Sequence, residues 1–144
     1  MTWRLYGNYK AINSIEDMPQ GVKGFVYVIT NKDKFEQYIG KKSIYSTTKR
    51  KFGKKESAKI TDKRKKLYEY ITKESNWKTY KSSNKDVQKW ENPSKQILEF
   101  AYSTKQLSYL EEKYLFKNDV LEDKTYKNDN ISGRYFRDEF NFKK

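Results

Sequence analysis

Residues 24–42, Gly-Phe-Val-Tyr-Val-Ile-Thr-Asn-Lys-Asp-Lys-Phe-Glu-Gln-Tyr-Ile-Gly-Lys-Lys, constrain the fold of this chain more than any other stretch. Two runs rich in β-branched and aromatic residues, 25–30 and 35–40, flank Asn-Lys-Asp-Lys, the pattern of a β-hairpin with a four-residue loop. Pairing Thr30 with Phe35 sets Tyr27 opposite Tyr38, and directly opposed residues share a sheet face. Two phenols then stand side by side, with Gly40, Lys41 and Lys42 just beyond. An ordinary hairpin with a packed tyrosine pair has the same pattern, so the rest of the chain must decide.

At 144 residues the chain can bury one core and is too short for two domains. It contains no cysteine and no histidine, which excludes disulfides, thiolate metal sites, the commonest general base and the commonest zinc ligand. Hydrolytic chemistry would have to rest on Tyr, Glu, Asp, Lys, Arg or Asn. Lys and Arg number 32 against 19 acidic residues, a net charge of +13, so a polyanion is the expected partner. Between Lys41 and Lys89 there are 17 basic and 5 acidic residues, which places +12 of that charge in a third of the chain. Such concentration suggests a phosphate-facing surface, with Lys41, Lys42, Arg64, Lys65, Lys66 and Lys81 as expected nucleic-acid contacts. A solvated helix face plus a loop is the alternative. No run approaches the roughly 20 apolar residues that span a bilayer, and the amino terminus lacks a signal-peptide apolar region, so a soluble, cytoplasmic protein is expected.

Residues 1–23 read as an arm, or a short strand and turn, packed on a domain formed by 24–144. Residues 41–61 read as a loop or frayed helix. A helix is expected over 62–74, with Leu67, Tyr70 and Ile71 inward and Lys63, Arg64, Lys65 and Lys66 in its first turn. Four cations there oppose the helix macrodipole, a break of local rule that a ligand site would permit. Trp77 reads as a core plug, Tyr80 as cleft-facing, and 86–90 as a short helix. The alternation over 95–102 predicts a third strand, and Ser103 with Gln106 predicts a capping box for a helix over 104–118. On that helix Leu107, Leu110 and Tyr114 share an apolar wedge into which Glu111 points, while Glu112 lies on another side. An inward carboxylate needs a partner, either a basic residue or a metal ion. The tail is turn-rich, with Asn128 and Asn130 as turn formers and Tyr135, Phe136, Phe140 and Phe142 as anchors. The expected fold is α/β (α+β): a three-stranded, mainly antiparallel sheet flanked by helices.

The triplets Phe25-Val26-Tyr27 and Tyr38-Ile39-Gly40, with Glu111 on a late helix and Asn128 beyond it, resemble the GIY-YIG nuclease family. The tyrosines match, and the first glycine of the motif does not. Trp-Lys-X-Tyr, Ser-Ser and Ile-Ser-Gly-Arg also resemble small bacteriophage-encoded endonucleases of that family. The resemblance implies that Tyr27 acts near the attacking water, as base or relay, and that Tyr38 assists by hydrogen bonding. It also implies that Glu111, followed by Tyr114 and Leu115, binds the metal, and that Asn128 is the family's asparagine. The family arginine is expected at Arg50, with Lys41, Lys42 and Arg64 as rivals, and Tyr80 takes a slot often held by histidine or tyrosine.

These implications describe an endonuclease that hydrolyses DNA phosphodiesters with Mg2+ (or Mn2+) on Glu111, of homing type or aimed at host or competitor DNA, in the host cytoplasm if phage-encoded. For Tyr27 to act as base, surrounding cations would have to depress its pKa. A nuclease-like nucleic-acid-binding module without turnover is the alternative, and an inhibitor of another protein is a weaker one. A homodimer would be one way for a short domain to act on both strands of a duplex.

Overall fold

A computed structural model describes residues 2–51, 53, 54, 58 and 68–140. Backbone contacts divide the chain into two units, Met1–Ile44 with Asn76–Lys144, and Tyr45–Ser75. The expected helix start at Lys63, Arg64, Lys65 and Lys66, together with Leu67 and Phe142, lies outside the described residues.

The first unit is built on a five-stranded sheet, where three strands were expected. Its strands are β1 (Trp3–Leu5), β2 (Ala11–Ile12), β3 (Gly24–Asn31), β4 (Glu36–Ser43) and, later in the chain, Ser94–Ala101; the second unit supplies β5 (Tyr45–Lys51) and β6 (Tyr68–Glu74), so Ser94–Ala101 is β7. The sheet order is β2-β1-β7-β3-β4. The two extra strands come from the amino-terminal arm, with β1 parallel to β7 through Arg4↔Gln96 and Leu5↔Ile97. The short strand and turn read in residues 1–23 is thus present, but three residues are too few to show a two-residue period, so Trp-Arg-Leu gave neither its bounds nor its place in the sheet.

β3 and β4 pair antiparallel, displaced two residues from the expected register: Tyr27 faces Gly40 and Ile29 faces Tyr38. The cause is the turn. The Asn31 side chain accepts the Asp33 N–H at 3.2 Å, and Phe35 takes a left-handed conformation (φ 51°) and leaves the ladder. The loop is thus 32–35. A two-residue slip preserves the faces, so both phenols still project from one side.

β3 sits between β7 and β4 and is covered on both faces, which accounts for its nearly continuous apolar run. One face packs Trp3, Phe25, Tyr27, Ile29 and Ile97 against Trp77 and Val87. Val87 lies on α1 (Lys85–Gln88), whose N-cap Asn84 accepts the N–H groups of Asp86 and Val87. The other face packs Val26, Val28, Ile39 and Ala101 against Leu107, Leu110 and Leu115 of α2 (Thr104–Lys117). Ser103 caps α2 by accepting the Gln106 N–H, while the Gln106 side chain accepts from Tyr102 rather than from the cap residue. No described helix is long and apolar enough to cross a membrane.

Two buried side chains tie the amino-terminal arm to the 76–81 segment. The Trp3 indole N–H donates to the Trp77 carbonyl at 2.6 Å. Lys95, only 3% exposed, places Nζ 4.4 Å from the Trp3 ring centroid and donates to the Lys78 carbonyl at 3.3 Å. The tail is held differently from expectation. Its strands β8 (Asn130–Ile131) and β9 (Tyr135–Phe136) pair, Ile131 is buried, and Tyr135, Phe136 and Phe140 are exposed. The Arg137 guanidinium is the anchor, donating to the Val120 and Tyr126 carbonyls.

The second unit also departs from expectation. Residues 68–74 form a strand rather than a helix and pair antiparallel with 45–51, which are a strand rather than a loop or frayed helix. Tyr45, Thr47 and Thr48 in one run and Tyr68, Tyr70, Ile71 and Thr72 in the other favour strand, and this β preference outweighs the weak helical spacing of Tyr70 and Ile71.

Candidate active site

The site begins with the pairing of Tyr27 and Gly40. Tyr27 is 1% exposed, and its ring lies across the α-carbon of the residue directly opposite. A Cβ on Gly40 would lie 2.7 Å from Tyr27 Cζ, closer still to its hydroxyl, and 3.1 Å from Tyr38 Cε1. Only glycine leaves room for this ring. Tyr38 packs diagonally, with ring centroids 6.4 Å apart, and Tyr80 meets Tyr27 edge-on at 6.1 Å. The Lys42 ammonium lies 4.2 Å from the Tyr80 ring centroid, and burial lowers its pKa.

The tyrosines depart from what a phenolate base requires. Burial pushes Tyr27 well above the ordinary phenol range, and the neighbouring Tyr80 and Tyr38 hydroxyls, a hydrogen bond to Tyr80 and the Glu111 charge push the same way. Burial also raises Tyr38, with a Ser83 hydrogen bond opposing it and Glu111, Tyr80 and Asp129 adding to it. The expected depression by cations is therefore reversed: desolvation comes first, and neighbouring phenols and carboxylates add to it.

Around the β4 edge, α2 presents Glu111. Its carboxylate is half-buried and accepts the backbone N–H of Lys41, and it forms no ion pair among the described residues. Burial raises its pKa and Glu112 adds to this, while the Lys41 charge and N–H oppose it. The Lys41 ammonium itself donates to Ser108 Oγ at 2.9 Å, one turn before Glu111. Glu111 opens onto a cleft of about 440 Å³ whose other walls include Tyr38, Lys41, Ser108, Glu112, Asn128 and Asp129. No group of three or more ligating side chains exists among the described residues. A hard cation on the Glu111 carboxylate would take most of its remaining positions from water and phosphate oxygens, a coordination that suits Mg2+. The under-compensated carboxylate fits that role.

Asn128 is buried and bonds the backbone through both its amide oxygen and its amide nitrogen. Its carbonyl oxygen accepts the Ile39 N–H at 3.1 Å, and its amide nitrogen donates to the Ile39 carbonyl at 2.7 Å. The side chain imitates a neighbouring strand. Beside it, Gln37 N–H donates to the Thr125 carbonyl at 2.8 Å, and the Gln37 carbonyl accepts from Lys127 N–H at 2.7 Å. Asn128 thereby fixes the cleft wall to β4.

The first unit thus gathers Tyr27, Tyr38, Tyr80, Lys41, Lys42, Glu111 and Asn128, although Tyr80 lies against Tyr27 and does not line the Glu111 cleft. Lys81 is half-buried, near Lys95. Arg50 belongs to the second unit, where its guanidinium engages Glu69 Oε1 through Nε at 2.7 Å and Nη2 at 2.6 Å. Arg64, Lys65 and Lys66 are outside the described residues. Sequence reasoning passed over Ser83, Ser108 and Asp129. Ser108 was accessible from helical spacing, three residues before Glu111; Ser83 and Asp129 sit in loops with no period to reveal them.

Comparison with known proteins agrees with this arrangement. A family model described as "Putative endonuclease segE, GIY-YIG domain" matches residues 7–136. No curated protein and no solved structure matches the chain. With that match spanning most of its length, and with both motif tyrosines, the motif glycine and the helix glutamate gathered at one sheet edge, the chain belongs to the segE-type GIY-YIG endonuclease domain family.

Proposed function

We propose that the protein is a divalent-metal-dependent DNA endonuclease that hydrolyses phosphodiester bonds at the Glu111 cleft. The observation that carries this reading is the half-buried, under-compensated Glu111 carboxylate opening onto the same cleft as Tyr38. Mg2+ or Mn2+ held by Glu111 would polarise a non-bridging phosphate oxygen and offset charge on the leaving oxygen. Lys41 N–H aims the carboxylate, and the Lys41 ammonium at the cleft wall attracts the phosphate. Tyr38, neutral at physiological pH, orients the attacking water, whose proton passes to solvent in the open cleft. Tyr27 works as a buried hydroxyl bonded to Tyr80 that fixes the phenol cluster, not as a phenolate base. The likeness of Trp-Lys-X-Tyr, Ser-Ser and Ile-Ser-Gly-Arg to small bacteriophage-encoded endonucleases supports a phage-borne enzyme acting in the host cytoplasm, the family match supports an endonuclease, and the basic charge supports DNA as partner.

Nicking of supercoiled plasmid tests the proposal. Cleavage is expected in Mg2+ or Mn2+, none in EDTA, and Glu111→Gln should lower the rate at least about a hundredfold. Undiminished nicking by Glu111→Gln would remove the cleft from the chemistry. Salt-sensitive DNA binding with no cleavage in any divalent metal would establish the binding-module alternative instead.

A further inference from the structure

The second unit carries a surface that the cleft does not use. β5 and β6 form a two-stranded ribbon of seven paired positions, from Tyr45↔Glu74 to Lys51↔Tyr68. Every residue of both strands is exposed except Ser46 and Tyr68, which are half-buried. Paired residues share a face, so Tyr45, Thr47, Lys49 and Lys51 stand on one side with Glu74, Thr72, Tyr70 and Tyr68, the single acidic residue lying at the Tyr45 end. Tyr70 is 63% exposed; Tyr68 and Tyr70 meet edge-on at 5.7 Å, and the Lys49 ammonium lies 3.7 Å from the Tyr68 ring centroid. Residues 45–75 contain eleven Lys or Arg and four Asp or Glu, +7 of the chain's +13.

The exposed Tyr70 ring beside Lys49 and Lys51 is costly to leave in water, and lysines interleaved with tyrosines suit a ligand that offers both negative charge and flat or hydrogen-bonding edges. Duplex DNA has both. Its major groove, about 12 Å wide, admits a two-stranded β-ribbon. We propose that the Tyr/Lys face of the β5–β6 ribbon is a duplex-DNA-binding surface additional to the cleavage cleft. Lys49 and Lys51 contact backbone phosphates, while Thr47 and Tyr70 reach sugar and base edges. This inference rests on the reading of DNA as substrate.

The test is binding of the full-length chain, carrying Glu111→Ala to prevent cleavage, to a short duplex across a salt series followed by fluorescence anisotropy. Lys49→Gln with Lys51→Gln should weaken binding and reduce the slope of log K against log salt by about 1.8, about 0.9 for each phosphate no longer neutralised. Lys49→Arg with Lys51→Arg should keep the slope, which separates the removal of charge from a misfolded ribbon. Tyr70→Ala should weaken binding without changing the slope. Lys105→Gln with Lys113→Gln, on the exposed side of α2, controls for net charge and should leave the slope unchanged. Equal slope changes for the ribbon and helix pairs would overturn the proposal. Nicking by the wild-type chain with no slope change in the ribbon pair would overturn this inference alone, whereas nicking that survives Glu111→Gln would overturn only the cleavage site.

Discussion

The hydroxyl end of the Tyr27 ring lies over Gly40, its directly paired residue on β4, with no space left for a methyl group between them. The final glycine of the Tyr-Ile-Gly triplet is thereby explained by the first tyrosine of the site rather than by backbone conformation. Gly40→Ala must displace a ring that is packed on its other sides by Trp3, Phe25 and Tyr80. The expected loss is about 1–3 kcal/mol of stability, read as a lower denaturant midpoint, together with a fall in nicking. An unchanged midpoint would show that the ring is free to move.

The pH dependence of nicking separates the two roles open to Tyr27. Because burial raises Tyr27 and Tyr38, both stay protonated across neutral and mildly alkaline pH. The rate between pH 6.5 and 9 should therefore show no phenol-controlled limb. Tyr27→Phe should reduce the rate roughly ten- to a hundredfold at every pH, leaving the profile's shape intact. If the substitution instead removes a rising limb with a midpoint below 9, Tyr27 acts as a phenolate.

Asn128 is expected to act through stability. Asn128→Ala leaves both Ile39 backbone groups without their side-chain partner, a loss of about 1–3 kcal/mol. Asn128→Asp is more diagnostic. One carboxyl oxygen can still accept the Ile39 N–H, but the other faces the Ile39 carbonyl and can donate to it only when protonated. The folded state then favours the protonated acid and raises its pKa, so the deficit relative to wild type should grow as pH rises above about 4. Urea unfolding at pH 4 and pH 7 measures it, and equal deficits would refute the assigned bonding.

Lys95 gives the fold its own pH signature. Burial, assisted by Lys81, lowers its pKa from 10.5 to about 8. Below about pH 8 folded and unfolded chains both hold the proton, and the fold bears the cost of a buried ammonium. Between 8 and 10.5 the unfolded chain holds more protons than the folded one, so stability rises with pH. The gain is on the order of 2 kcal/mol by pH 10, before ionisation of exposed tyrosines in the unfolded chain reverses it. Unfolding midpoints that climb from pH 7.5 to 9.5 in wild type and stay level in Lys95→Met meet the expectation. A level wild-type curve would contradict it.

The hairpin was legible from two β-branched and aromatic runs flanking a turn, and the third strand and the long helix from a period: alternation in 95–102, and a wedge of leucines around Glu111. The helix wedge located Glu111 without reference to any relative. What it could not show was the partner of that carboxylate, because the Lys41 N–H is backbone and depends on where β4 ends against α2. The register failed by two residues because Asn31 starts an Asx-type turn from its side chain, a choice a loop-length rule does not see. The ribbon was misread because Tyr70 and Ile71 fit a helix as well as a strand until the partner strand is known. β1 and β2 answer to the short strand and turn read in residues 1–23, although their brevity hid which sheet edge they join; Trp3, which lies ahead of the matched residues 7–136, packs 5.3 Å from Tyr27.

The outer flank of β4 has one further consequence. The outward N–H groups of Gln37, Ile39 and Lys41 are taken in succession by the Thr125 carbonyl, the Asn128 amide and the Glu111 carboxylate. A second copy approaching along these residues would find no vacant ladder to extend, so two molecules cannot zip together there into a continuous sheet. Backbone pairing between copies is thereby confined to other edges, such as β2 at the far side of the same sheet, away from the flank that carries the cleft.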